Sequence, residues 1–270
     1  MKNHFKVSVL GASGRMGSQI IKRVNEATNM DLHSVVEHKG HNWIGQDCGE
    51  KLLGRKNNVI VTDDLNFALG SADAVIDFST PDTSLECLKI CTDTNTAHII
   101  GTTGFSPMQE SKINGYAEKV VVVKAGNMSL GINILTSLVE KISSSLDSDF
   151  DTEILEMHHR NKVDAPSGTA LMLGEAAAKG KGKSLSELRG AVREGTFGSR
   201  DKGTIGFASL RGGGIVGEHE VSFTSESERI SIKHEAFSRD IFVKGAIKAA
   251  LWSKEKKPGL YDMLHVLSLR

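Results

Sequence analysis

The chemistry this sequence can perform is concentrated in one short run: Glu156-Met157-His158-His159-Arg160-Asn161-Lys162-Val163-Asp164-Ala165-Pro166-Ser167-Gly168-Thr169-Ala170. An apolar-alternating strand delivers two histidines, an arginine and a lysine within five residues. A helix then opens at Ser167, Gly168 and Thr169, where first-turn amides favour an anion. Proton donors, positive charge and a carboxylate cradle on one segment suit a small dianionic substrate better than a neutral one. Taken singly, each residue also has a blander role. Adjacent histidines in a strand point to opposite faces, so one of the two fits a surface or core position equally well. Arg160 and Lys162 read equally well as solvated charges. A zinc site is disfavoured, because adjacent histidines without a nearby cysteine or paired carboxylate make a poor ligand spacing.

A second run, Gly11-Ala12-Ser13-Gly14-Arg15-Met16-Gly17, follows the apolar stretch Val7-Ser8-Val9-Leu10 directly. Its G-x-x-G-x-x-G spacing is a variant of the dinucleotide fingerprint. Gly11 permits a tight turn, Gly14 lets the backbone approach a pyrophosphate, and Gly17 lets the helix pack closely on the sheet. Alone, three glycines are weak grounds. Here a strand precedes them, a helix follows, and Glu37 stands 20 residues beyond Gly17, where an acidic side chain accepts from an adenosine ribose. Glu37 repels a ribose 2′-phosphate, whereas His38, Lys39 and Arg15 attract one. Use of both NADH and NADPH is expected, with NADH slightly favoured.

These runs need elements to position them. Residues 5–10, 32–37, 59–61, 74–78, 98–100 and 120–123 read as strands alternating with helices, the first helix over 14–27. The rhythm predicts an α/β fold with a Rossmann-type doubly wound parallel sheet. Thr80-Pro81 and Ser106-Pro107-Met108-Gln109 read as helix starts, the latter with a capping-box pattern. Beyond residue 126 the pattern predicts a second, α+β domain for substrate binding and oligomerisation. Its helices begin at 132 and near Ser167, and its strands cover 152–158, 204–210, 215–223 and 229–234, the last two forming a hairpin. A polar stretch spans 179–202, and a closing helix covers 241–252. The expected division is 1–127 for the dinucleotide and 128–238 for the substrate, with 239–270 packing back onto the first domain.

Composition narrows the partners. Lysine plus arginine equals aspartate plus glutamate at 33 each, so no basic excess supports nucleic-acid binding. No uncharged stretch approaches a membrane span, and no signal-peptide pattern opens the chain, so a soluble cytoplasmic protein is expected. Three cysteines do not make a disulfide framework. Cys87 and Cys91 stand four apart in an expected helix and face one way. No second pair of soft ligands accompanies them, so small buried side chains are the better reading.

The chain resembles the dihydrodipicolinate (4-hydroxy-tetrahydrodipicolinate) reductase family, whose signature run is E-x-H-H-x-x-K-x-D-x-P-S-G-T-A. Every fixed position of it is present between Glu156 and Ala170. Similarity extends over nearly the whole chain, through Gly11 to Gly17, Gly101-Thr102-Thr103-Gly104-Phe105, Asn127 with Ser129, Gly203-Thr204-Ile205-Gly206-Phe207, Arg211-Gly212-Gly213 and Ile215-Val216-Gly217-Glu218-His219. The resemblance implies reduction of 4-hydroxy-tetrahydrodipicolinate to tetrahydrodipicolinate with NADH or NADPH, in diaminopimelate and lysine synthesis, by a homotetramer. It implies His158 as acid/base and Lys162 as second proton donor. It places His159 and Lys162 on the substrate, and Gly168 with Thr169 on a carboxylate. Gly101, Thr102, Thr103, Ala125, Gly126, Asn127 and Met128 would line the nicotinamide side. His38 departs from an arginine common in relatives, Met128 from an aromatic residue, and Gly126 is smaller than usual. The rival expectations are a catalytically silent dinucleotide sensor and another two-domain nicotinamide oxidoreductase of aspartate-derived metabolism. A phosphorylating semialdehyde dehydrogenase needs a nucleophilic cysteine, and all three cysteines stand in the cofactor half.

Overall fold

The computed structural model describes residues 4–193, 195–196 and 198–270. They form two units: 4–128 with 242–268 and 270, and the described residues of 129–241 with 269.

In the first unit, β1 (Phe5–Leu10), α1 (Arg15–Glu26), β2 (Met30–Val36), α2 (Cys48–Leu52), β3 (Val61–Thr62), α3 (Leu65–Leu69), β4 (Ala74–Asp77), α4 (Pro81–Thr94), β5 (Ala97–Ile100), α5 (Pro107–Ala117) and β6 (Val121–Lys124) alternate along the chain. With β11 (Gly259–Tyr261) added from the end of the chain, the sheet order is β11-β6-β5-β4-β1-β2-β3, and every pairing is parallel. Strand order reverses between β1 and β4, which is where open α/β sheets bind ligands at their carboxyl ends. Val7, Val9, Ala74, Val75, Ile76 and Ile99 have no exposed surface, as strands covered on both faces require. Thr80 caps α4 with proline next, and Ser106 with Gln109 closes a full capping box on α5. The short helices α2 and α3, capped by Asp47 and Asp64, escape the sequence reading because five residues are too few to display a helical period.

The second unit comprises α6 (Leu130–Ser145), β7 (Asp151–His158), α7 (Gly168–Gly180), α8 (Leu185–Leu188), β8 (Ile205–Arg211), β9 (Gly217–Thr224) and β10 (Arg229–Ala236). Its sheet runs β10-β9-β7-β8, with β7 and β8 parallel and the other pairs antiparallel. Thr152, Ile154, Glu156 and His158 of β7 are buried on one face, where Ile154 joins Leu173 and Ala177 of α7 and Val139 of α6 in the core. The stretch 179–202 is not uniformly polar loop. It contains the end of α7 and all of α8, and Arg200 anchors it to β7 by donating to Asp151 Oδ1 (2.6 Å) and Glu153 Oε1 (2.9 Å). Glu194 and Phe197 of this stretch lie outside the described residues.

The chain then runs through α9 (Asp240–Ser253) to β11 (Gly259–Tyr261) and α10 (Met263–Val266). β11 adds a seventh strand beside β6 in the first sheet. Three residues carry no periodic signal, and this strand exists only through its pairing with a segment more than a hundred residues earlier.

Candidate active site

In the first unit the glycine run leaves β1 at Leu10 and turns at Gly11, whose φ is +72°. A Cβ on Gly17 would stand 2.0 Å from the Gly11 carbonyl oxygen, so only glycine lets α1 rest on the turn. Side chains of Asp47, Asp64, Thr80 and Ser106 cap α2 to α5, but Gly14 offers α1 no side-chain cap and its first turn holds no acidic residue. Backbone amides and the exposed Arg15 are thus left to meet an anion. Glu37 is buried, accepts from the Ser13 amide (2.6 Å) and hydroxyl (2.7 Å), and so ties the loop to the end of β2. Burial opposes its charge, but these bonds and the His38 amide prevail, and its carboxyl is held below the usual range. Ala12 is buried, Met16 is half-buried, and His38 is exposed beside His41, with ring centroids 5.0 Å apart. This set fits a dinucleotide: an uncapped helix start for the pyrophosphate and a carboxylate at the ribose position.

A group absent from the sequence reading organises the neighbouring loops. Asp77, fully buried at the end of β4, accepts from the Ser79 amide (2.9 Å) and hydroxyl (2.6 Å), the Ser84 hydroxyl (2.5 Å) and the Thr102 hydroxyl (3.2 Å). His98 Nε2 lies 3.0 Å from its other face. Thr102 is therefore spent inward on Asp77, while Thr103 and Gly104 are exposed. Gly101 passes against the Phe78 ring, 2.2 Å from where a Cβ would stand. Ala125 donates to the Ile100 carbonyl at 3.1 Å; Gly126 is exposed, Asn127 half-buried and Met128 buried. A charged residue in the apolar run Ala74-Val75-Ile76-Asp77-Phe78 was the available signal.

In the second unit Glu156 is the hub. Its buried carboxylate takes a bidentate pair from Arg211, both bonds 2.8 Å, lies 2.5 Å from His158 Nδ1, and accepts the Ser167 amide at 3.1 Å. Burial opposes its ionisation, yet the Arg211, His158 and Ser209 bonds hold its pKa at about 2. One carboxylate thus joins the acid/base candidate on β7 to the start of α7. Ser167 caps that helix by accepting from the Ala170 amide (3.1 Å), and its hydroxyl meets His219 Nε2 at 3.0 Å. The exposed Gly168 and half-buried Thr169 form the first turn.

His158 ends β7 with its ring edge-on to His219 at 5.1 Å. Its pKa falls below 6.5: burial depresses it, Glu156 raises it, and the Lys162 and Arg211 charges depress it further. Burial and then the neighbouring His158 take His219 down to about 4, so that ring is neutral. His159 leaves the strand, its amide on the Ile215 carbonyl (2.8 Å), and Lys162 follows one turn later, its amide on the His159 carbonyl (3.1 Å). Lys162 Nζ donates to Asp164 Oδ1 at 2.7 Å, and Arg211 grips the Asp164 carbonyl at 2.7 Å. His158, Lys162, Gly168 and Thr169 are therefore carried by one strand–turn–helix passage. Nothing local in the sequence assigns Arg211 or His219 a role, because the attachment of Arg211 to Glu156 and of His219 to Ser167 spans more than fifty residues of chain.

Comparison with known proteins agrees with this arrangement. The family model described as dihydrodipicolinate reductase, N-terminus, matches residues 5–128, and its C-terminal counterpart matches 131–267. Among relatives named 4-hydroxy-tetrahydrodipicolinate reductase, that of Ruegeria sp. (strain TM1040) is 49% identical over 97% of this chain and 98% of its own. That of Roseobacter denitrificans is 46% identical over 100% and 99%. The dipicolinate-bound dihydrodipicolinate reductase of Paenisporosarcina sp. TG-14 superposes with a TM-score of 0.75 at 26% identity, covering 97% of this chain and 98% of that one. An amine dehydrogenase of Mycobacterium smegmatis, at 12% identity and a TM-score of 0.67 over 95% and 94% of the two chains, shares the fold. With both halves matched and full-length relatives close to half identical, the chain belongs to the dihydrodipicolinate reductase family.

Proposed function

We propose that the protein reduces 4-hydroxy-tetrahydrodipicolinate to tetrahydrodipicolinate with NADH or NADPH, in the diaminopimelate route to lysine. The observation that carries this reading, beyond family membership, is the Glu156 carboxylate holding His158 and the α7 start in one network, with Lys162 one turn beyond. The reduced nicotinamide supplies a hydride. His158 and Lys162 stabilise the negative charge that develops on the substrate ring and deliver a proton. The α7 start at Gly168 and Thr169, with His159 and Lys162, binds the substrate carboxylates. Glu37 favours NADH by repelling a 2′-phosphate, while Arg15 and His38 leave room for NADPH. Loss of nicotinamide absorbance should require substrate made in situ from pyruvate and aspartate semialdehyde by a synthase, and should be faster with NADH. Cofactor binding without turnover would instead favour a silent sensor.

A homotetramer in the cytoplasm completes the proposal. Among the described residues no helix is long and apolar enough to cross a membrane, and all three cysteines are free and buried. The face of the β10-β9-β7-β8 sheet opposite the core exposes Leu155 and Leu210, with Met157 registered against Leu210. Such a face and its sheet edges favour association with further copies. Leu155→Glu with Leu210→Glu should move the sedimenting species from tetramer toward monomer. An unchanged tetramer would reject this face as the contact.

A further inference from the structure

The core of the first unit holds two thiols and an imidazole that hydride transfer does not use. Cys87 and Cys91 lie one turn apart on α4, fully buried, with sulfurs 3.9 Å apart. Along the sequence no soft ligand accompanies them. Folding supplies one: His98 of β5, also fully buried, brings a ring nitrogen so that all three donor atoms lie within 4.8 Å of one another. Some point then lies within about 2.8 Å of all three, and contractions of about 0.5 Å at each sulfur and about 0.8 Å at the nitrogen reach the ~2.3 Å of zinc–sulfur and ~2.0 Å of zinc–imidazole bonds. Two such sulfur bonds at tetrahedral or trigonal angles place the sulfurs roughly 3.8–4.0 Å apart. The observed separation already meets that requirement.

His98 is also oriented as a ligand would be. Its Nε2 lies 3.0 Å from Asp77 Oδ2, and the buried ring also meets the Cys87 thiol. A carboxylate on the far nitrogen fixes the tautomer that leaves the near lone pair for a metal, the arrangement that commonly supports metal-bound histidine.

We propose that Cys87, Cys91 and His98 bind one thiophilic d10 cation, Zn²⁺ or Cu⁺, as a structural brace between α4 and β5. Two thiolates with an imidazole select these soft ions over magnesium or calcium. Each thiol releases its proton as its sulfur bonds the metal. Through Asp77 the brace reaches the Ser79 and Thr102 hydroxyls, and so steadies the loops at the ends of β4 and β5.

The full-length protein, refolded under reduction with one equivalent of Zn²⁺ or, anaerobically, of Cu⁺, tests this. Native mass spectrometry should find one retained ion with at least one of them. That ion should raise the thermal midpoint by at least about 5 °C. Cys48→Ala should retain it, and Cys87→Ala with Cys91→Ala should lose it. X-ray absorption on the loaded wild-type protein should show two sulfurs and one nitrogen, and this readout stands even if the double variant does not fold. A fourth light ligand identifies the Zn²⁺ site, and three-coordination the Cu⁺ site. Retention of neither ion, retention by the folded double variant, or a shell lacking two sulfurs overturns the site.

Discussion

Lys162→Ala should lower kcat/KM for the cyclic substrate by about 10²–10⁴-fold, roughly 3–5 kcal/mol of transition-state stabilisation, while NADH affinity stays nearly unchanged. Lys162 follows β7 by one turn in the second unit, and the glycine loop belongs to the first. Its removal therefore takes charge from the substrate side alone. The same variant changes the pH profile in a defined direction. Burial, and then the Lys162 and Arg211 charges, hold His158 below its ordinary 6.5 against the opposing pull of Glu156. If His158 must be protonated to act, kcat/KM falls as pH rises through a value below 6.5. Removing the Lys162 charge relieves part of the depression, so in Lys162→Ala that fall should move to higher pH. Histidine's reference pKa of about 6.5 would by itself leave part of His158 cationic near neutral pH. Burial lowers that fraction, so the proposed proton delivery asks more of Lys162. Kinetics at several pH values, with NADH titrated separately by fluorescence, read both effects. Equal loss of NADH affinity, or a profile displaced downward, would sink the assignment of Lys162 to substrate and proton.

Gly17→Val should nearly abolish cofactor binding, by more than about 10²-fold, and destabilise the fold by about 3 kcal/mol. The obstruction is backbone against backbone. A Cβ at Gly17 meets the Gly11 oxygen at 2.0 Å and the Gly11 carbonyl carbon at 2.8 Å, so no side chain can move aside. To admit it, α1 must lift from the turn, and the amides at its start leave the position at which a pyrophosphate would meet them. Gly115→Ala in the last turn of α5 is the control. A Cβ there meets nothing within 4 Å, so this change should be neutral or stabilise by about 0.5–1 kcal/mol. Calorimetric NADH titration with thermal unfolding distinguishes the two positions. Near-normal NADH binding by Gly17→Val would remove the glycine loop from the cofactor site.

Local signals made much of this molecule legible in advance. Residues 5–10 are read as a strand, and β1 spans Phe5–Leu10. The capping pattern at Ser106 and Gln109 forms a complete capping box, and the hairpin expected over 215–223 and 229–234 forms between β9 (Gly217–Thr224) and β10 (Arg229–Ala236). Each of these rests on residues close in sequence: alternation, a cap three positions from its partner, a turn between two runs. The glycine loop and the histidine segment could be picked out as candidates because each is a short contiguous run that matches a known pattern.

Groups whose meaning depends on distant partners were not legible. Asp77 interrupts an apolar strand, and only the folded sheet shows Ser79, Ser84, His98 and Thr102 converging on it to satisfy a buried charge. Glu156 stands in the signature, but its grip on Arg211, His158 and Ser167 appears only when β7, β8 and the start of α7 meet. Cys87 and Cys91 read as two small core residues until β5 brings His98 against them. Local patterns thus sufficed for the fold class, because periodicity, turns and caps act over a few residues, whereas the reaction was reached through the resemblance to a known family. Which carboxylates stay ionised, how far His158 is held from its ordinary pKa, and where soft ligands collect were decided by tertiary structure, because burial and through-space charge depend on chain segments that only folding brings together.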